Sequence, residues 1–114
     1  MSKQLSVGFR LWIEGEDATF MGEGRANLLQ HIHETGSINE ASRRMGISYK
    51  KALKLIDTMN ALAPSPLVVS TSGGLKGGGS VVTERGMTAI ATYRDLKEGC
   101  SAYLEQAFAK IQME

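Results

Sequence analysis

Two helix starts stand close together near the middle of this chain of 114 residues, and they limit its fold more than any other feature. Ser37, with Glu40 three residues on, forms a capping box, in which each side chain takes up a free backbone N–H at the other's position. Ile38, Ala41 and Met45 then mark one face of a short helix that stops at Gly46. Ser48 follows the apolar Ile47 and opens another helix as its N-cap. Ala52, Leu55, Ile56, Met59 and Leu62 recur along it at the spacing of one buried face, which leaves Lys50, Lys51 and Lys54 on the open side. "APSP" at 63–66 ends this helix, because proline cannot continue the ladder and restrains the residue before it. A glycine-stopped helix followed at once by a capped one is a helix-turn-helix unit.

The flanks complete an α+β order, β-β-α-α-α-β-β-α, within a single domain over residues 1–114. Leu5, Val7, Phe9, Leu11 and Ile13 alternate with polar or small residues and with Trp12, the pattern of a half-buried strand. "EGED" turns the chain and "ATFM" returns, giving an N-terminal hairpin over 5–21. Ala26, Leu29 and Ile32 then take helical spacing up to Gly36, so a three-helix core is expected over 23–63. "LVVST" at 67–71 and "SVVT" at 80–83 are β-branched runs on either side of a glycine cluster and predict a second hairpin over 67–83. Thr83 caps a long final helix, expected over 84–112. Along it Tyr93, Leu96, Cys100, Tyr103, Ala107 and Ile111 fall in alternate steps of three and four, the period of a seam against another helix.

The formal net charge of +1 hides a polarity. Residues 37–60 hold five basic groups (Arg43, Arg44, Lys50, Lys51 and Lys54) against Glu40 and Asp57, while the rest of the chain is net acidic. A short basic region of this kind suits an anionic polymer. The apolar runs are too short for a membrane span and the N-terminus lacks a secretory pattern. With Cys100 as the single cysteine, no internal disulfide forms, which suits a reducing cytoplasm.

The glycine cluster "TSGGLKGGGS" at 71–80 has two readings. A nucleotide-phosphate loop needs G-x-x-x-x-G-K-[ST] between a strand and a helix. Gly73 and Gly78 have the first spacing, but Gly79 follows in place of lysine and the loop leads into a strand. A hairpin tip directly after a basic helix fits the winged helix-turn-helix arrangement better. There the third helix enters the major groove and the hairpin tip, the wing, touches the adjacent backbone. Glycines let such a tip follow phosphates closely, and Lys76 supplies a counter-charge.

The run "GEGRANLLQHIHETGSINEASRRMGISYKKALKLIDTMN", followed by "GGLKGGGSVVTERG", resembles the N-terminal DNA-binding domain of ModE-type molybdate-responsive transcription regulators. The helix-turn-helix part alone is also similar to LysR-type regulators; the glycine wing and "SYK" decide between the two. The resemblance implies a winged-helix homodimer on a palindromic operator, in promoters of molybdate uptake or molybdoenzyme genes. It implies double-stranded DNA as partner, with Ser37, Arg43, Arg44, Ser48, Tyr49, Lys50, Lys51 and Lys54 as contact residues on the two helices and Gly74, Lys76, Gly77 and Ser80 on the wing. The likeness is to short, standalone members of the family, and no oxyanion pocket is legible. Molybdate binding within this chain is therefore not expected, nor is a cofactor.

The seam residues Tyr93, Leu96, Cys100, Tyr103, Ala107 and Ile111 are the candidate dimer interface; the alternative is that they cover the chain's own core. His31 and His33, two apart on a helix, point to different sides, so no metal site is expected from them. No paired carboxylates or activated nucleophile point to an enzyme. The competing functional class is a winged-helix protein-interaction module that has lost DNA binding and acts through a partner regulator.

Overall fold

The computed structural model describes residues 4–71 and 79–112. The element order is β1 (Trp12–Glu14), β2 (Thr19–Gly22), α1 (Glu23–Thr35), α2 (Ile38–Met45), α3 (Tyr49–Leu62), β3 (Val68–Ser70), β4 (Ser80–Val82) and α4 (Glu84–Gln112). This is the expected α+β, winged-helix-like order. β1 pairs antiparallel with β2 through Trp12↔Gly22, Ile13↔Met21 and Glu14↔Thr19, with a bulge after Ile13. β3 pairs antiparallel with β4 in the register Val68↔Val82, Val69↔Val81 and Ser70↔Ser80.

The first hairpin is shorter than its sequence pattern predicts. Residues 5–11 lie outside any strand, and Val7 and Phe9 are exposed. The cause is that β2 passes directly into α1 at Gly22, so the chain supplies no strand opposite residues 5–11. Period-two spacing records which residues would share a face; it does not create the partner that satisfies the backbone.

The helix boundaries follow from local chemistry. Gly36 and Gly46 adopt the left-handed conformation, φ 70° and 68°, and close α1 and α2. Their buried faces meet over a core whose largest enclosed side chains include Met21, Leu28, Leu29, Ile32, Met59, Leu67 and Tyr93. Each large apolar side chain so enclosed contributes roughly 1.5–3 kcal/mol. α4 enters this core by a close approach. A Cβ on Gly86 would stand 2.4 Å from the Leu67 carbonyl oxygen and 2.6 Å from a Val82 methyl group, so only glycine fits its first turn.

Beyond Tyr93, no described residue of α4 is buried. Twenty-nine residues of helix extend about 43 Å. The molecule measures 65 × 32 × 23 Å, and its radius of gyration of 17.7 Å compares with about 13 Å for a compact domain of this length. The second half of α4 thus projects from the packed head.

Candidate nucleic-acid interface

Hydrogen bonds tie α1, α2, α3 and the second hairpin to one another at the face that carries α2, α3 and the hairpin base. Between α1 and α2, Thr35 Oγ1 donates to the His31 and Ser37 carbonyls and accepts from the Ser37 N–H at 3.2 Å. The capping box forms on one side only. Ser37 Oγ accepts from the Glu40 N–H at 3.0 Å, whereas the Glu40 carboxylate lies 3.5 Å from Arg43. Thr35 takes the N–H that the box assigns to Glu40. Between α2 and α3 the Ile47 N–H reaches the Ser42 carbonyl at 3.1 Å, and buried Ser42 donates to the Asn39 carbonyl at 2.7 Å. Ser48 then caps α3 by accepting from the Lys51 N–H at 3.0 Å.

The base of the second hairpin is fixed from two directions. Ser80 N–H donates to the Gly36 carbonyl at 2.9 Å, and Thr71 N–H to the Gly79 carbonyl at 2.9 Å. Thr71 Oγ1 accepts from the Gly79 N–H, also at 2.9 Å. A Cβ on Gly79 would stand 2.7 Å from the Gly36 oxygen, so the hairpin can approach the α1–α2 turn this closely only with glycine there. At the other end of β3, Asn60 of α3 accepts from the Leu67 and Val68 N–H groups at 2.8 and 3.3 Å and donates to the Val68 carbonyl at 3.0 Å. Thr83 Oγ1 donates to the Pro66 and Leu67 carbonyls and accepts from the Gly86 N–H at 3.1 Å. One short segment, residues 66–68, therefore joins α3, the hairpin and α4.

These ties leave a cleft of about 500 Å³ lined by Ser37, Asn39, Tyr49, Ser70, Thr71 and Gly79, among others. The start of α2, the start of α3 and the hairpin base meet in it. Tyr49 is 48% exposed. Lys50, Lys51 and Lys54 are exposed on the side of α3 opposite buried Ala52, Ile56 and Met59. None of these lysines forms an ion pair among the described residues, while Arg43 is engaged by Glu40 and Arg44 lies 3.1 Å from Glu34. The free positive charge of this face thus sits on α3. Ser80 is buried at the cleft wall. Gly74, Lys76 and Gly77, the expected wing residues, lie outside the described residues.

On α4 the expected seam divides. Tyr93 belongs to the chain's own core: it is buried, and its hydroxyl donates to the Leu11 carbonyl at 2.9 Å. This corrects its place beside the other five, because the helix is still in contact with the head at that turn. Leu96, Tyr103 and Ile111 are 46%, 68% and 60% exposed. Ala107 is exposed and Cys100 half-buried. An apolar groove of about 640 Å³ runs along Leu96, Cys100, Tyr103 and Leu104, with Phe9 at its edge.

The residues that sequence reasoning missed are the positioning ones: Thr35, Asn39, Asn60 and Thr71. Asn60 left a faint signal, a lone amide beside the apolar Met59 position. Among the described residues no group of His, Cys, Asp or Glu is placed to hold a metal ion, and no helix is long and apolar enough to cross a membrane.

Curated relatives share most of this chain. The molybdenum transport protein ModE of Azotobacter vinelandii is 43% identical over 88 residues, which are 77% of this chain and 33% of that protein. The DNA-binding transcriptional dual regulator ModE of Escherichia coli strain K12 is 39% identical over 83 residues, 73% of this chain and 32% of its own length. The chain is a ModE-like domain. The molybdenum-pterin-binding protein MopB of Rhodobacter capsulatus is 42% identical over 94 residues, 82% of this chain and 35% of that protein. The ModE-like domain spans about a third of the length of these relatives, and no family model matches it. The relatives carry names of regulators, of a transport protein and of a pterin-binding protein, and none is named as an enzyme.

Proposed function

We propose that this ModE-like chain is a sequence-specific, DNA-binding transcription regulator that acts as a homodimer on a palindromic operator in molybdate-related control. The observation that carries the reading is the set of exposed lysines on the open side of α3, without an ion pair among the described residues, beside a cleft whose walls are the starts of two helices and a hairpin base. Exposed lysines release counterions when they meet phosphates, and lysine also donates to guanine O6 and N7 in the major groove. Tyr49 and Lys50, in the first turn of α3, reach base edges; Lys51 and Lys54 hold phosphates. Lys76 serves the wing. The relatives named as transcriptional regulators support the same role.

Dimerisation follows from the same economy. One winged domain reads a few base pairs, and a twofold pair reaches half-sites about one helical turn, ~34 Å, apart. The projecting half of α4, with Leu96, Cys100, Tyr103, Ala107 and Ile111, is the interface.

The deciding experiment incubates the chain with sheared genomic DNA of its source and measures affinity for the recovered fragments against salt. A few palindromic promoters, with log K falling steeply against log salt, are the expected result. No enrichment at any salt concentration overturns the reading and makes the fold an interaction module for another regulator.

A further inference from the structure

A second cavity, of about 500 Å³, opens at the far end of α1 from the hairpin base. It lies between the chain that leads into β1, the first turn of α1 and the middle of α4. Thirteen residues of α1 separate it from Gly36 and the nucleic-acid cleft, about 20 Å of helix. Its walls carry Arg10, Arg25 and Lys97 against one carboxylate, Glu23, which gives a local excess of positive charge. Lys97 and Glu23 are hydrogen-bonded to each other. Phe9, Trp12 and Tyr93 supply aromatic surface.

The hydrogen-bonding state of these groups is uneven. Tyr93 is satisfied by the Leu11 carbonyl, and Trp12 Nε1 donates to Glu14 at 2.8 Å. Arg25 Nε is closed off from solvent and has no acceptor among the described residues. A buried donor without a partner costs roughly 1–3 kcal/mol, more when charged. The excess positive charge of the cavity walls calls for an anion. The volume of the cavity far exceeds one oxyanion, and Trp12, 51% exposed, and Phe9 offer ring surface left open by the described residues.

We propose that this cavity binds a small organic anion, a phosphate or carboxylate carried on a flat ring. The anionic group pairs with the Arg10 and Arg25 guanidinium groups that line the cavity, while the ring packs against Trp12 and Phe9. Gly24 leaves the mouth open, since a Cβ there would meet nothing within 4 Å. The site shares no residue with the DNA-contact set, so the inference stands independently of the DNA reading.

Trp12 is the one tryptophan of the chain, which gives a local optical probe. The experiment titrates the intact chain, without DNA, with phenyl phosphate and reads Trp12 emission, with inorganic phosphate and sodium chloride as parallel titrants. The expected result is a saturable change with phenyl phosphate and weaker binding of inorganic phosphate. Arg25→Gln and Arg10→Gln should each raise the half-saturation concentration about tenfold, as loss of a charge-assisted contact predicts. Arg25 is half-buried, so melting is measured alongside; if Arg25→Gln does not fold, exposed Arg10 decides. An emission change that does not saturate, or Arg10→Gln binding as tightly as the parent chain, overturns the proposal.

Discussion

The head of the molecule and the projecting half of α4 carry apolar residues at the same helical spacing, yet only the head buries them. Leu29 and Ile32 on α1, Ile56 and Met59 on α3, and Ile90 and Tyr93 at the start of α4 are enclosed by one another. Leu96, Tyr103 and Ile111 continue the series on α4 and face solvent. Spacing thus specifies a face, and what covers the face is a separate fact. In the head the cover is intramolecular; on α4 it is supplied, in our proposal, by a second copy.

The contrast predicts different consequences for similar truncations. Leu29→Ala should destabilise the fold by about 3 kcal/mol or more, since transfer and cavity terms add at a fully enclosed site. Its unfolding midpoint in denaturant should fall at every protein concentration. Tyr103→Ala should leave the midpoint of a dilute sample almost unchanged and instead remove its dependence on concentration. Sedimentation of the parent chain at micromolar concentration provides the reference. A Tyr103→Ala variant as destabilised as Leu29→Ala when dilute would show that the projecting half is covered from within.

A second test concerns how the head holds the hairpin. Asn60→Ala leaves the Leu67 and Val68 N–H groups and the Val68 carbonyl without their partner and should cost about 2 kcal/mol. Asn60→Asp keeps the acceptor and loses only the donor, so it should lie between the parent chain and Asn60→Ala in a melting series. Equal losses in the two variants would mean that the amide donor alone matters.

These ties also explain what was legible beforehand. The helix limits were, because Ser37, Gly36, Gly46, Ser48 and the proline pair act within a few residues of themselves. The extent of β1 was not, because pairing depends on where β2 stops. Asn60 was not, because its partners lie seven and eight residues away across a proline turn. At the candidate site, the open lysines of α3 followed from spacing. Their contrast with Arg43 and Arg44 did not, since nothing in the spacing indicates that Arg44 meets Glu34, ten residues earlier. The division of α4 was hidden for a related reason, as Tyr93 and Leu96 are equivalent in period and differ only in what lies opposite.

The lysine contrast yields a third prediction, now within the head. Lys50→Ala should relax preference for the operator over other duplexes by roughly 1 kcal/mol or more. Lys54→Ala should weaken all duplexes alike and lower the salt slope by about one unit. Arg44→Ala should change DNA affinity less than either, because its guanidinium is already engaged by Glu34. Quantitative binding at several salt concentrations separates these outcomes. A larger loss for Arg44→Ala than for Lys50→Ala would shift the contact face from α3 to α2.

The smallest effect belongs to the surface ties themselves, and pH reveals it. The Gln30 amide donates to the Glu34 carboxylate at 3.1 Å and holds its pKa below the ordinary 4.5; a slight loss of hydration opposes this, and His31, Arg44 and His33 add to the lowering. A carboxylate lowered in the folded state favours folding above its ordinary value, and that contribution disappears as pH falls through the folded value. The parent chain should therefore melt slightly higher than Glu34→Gln near neutral pH, and the gap should close in acid below about 4.5. Lys97 behaves in the opposite sense. Its hydrogen bond to Glu23 raises its pKa above the ordinary 10.5, so its contribution is full below that value and fades as pH rises through the folded one. Glu34 ties α2 to α1 within the head, whereas Lys97 ties α4 to the head at the turn where the projecting half begins. Alkaline pH should consequently loosen the neck of α4 and leave the α1–α2 contact intact. Amide exchange protection along α4, followed from neutral to alkaline pH in Lys97→Met and the parent chain, checks this; equal protection in both would assign the neck wholly to Tyr93 and Ile90.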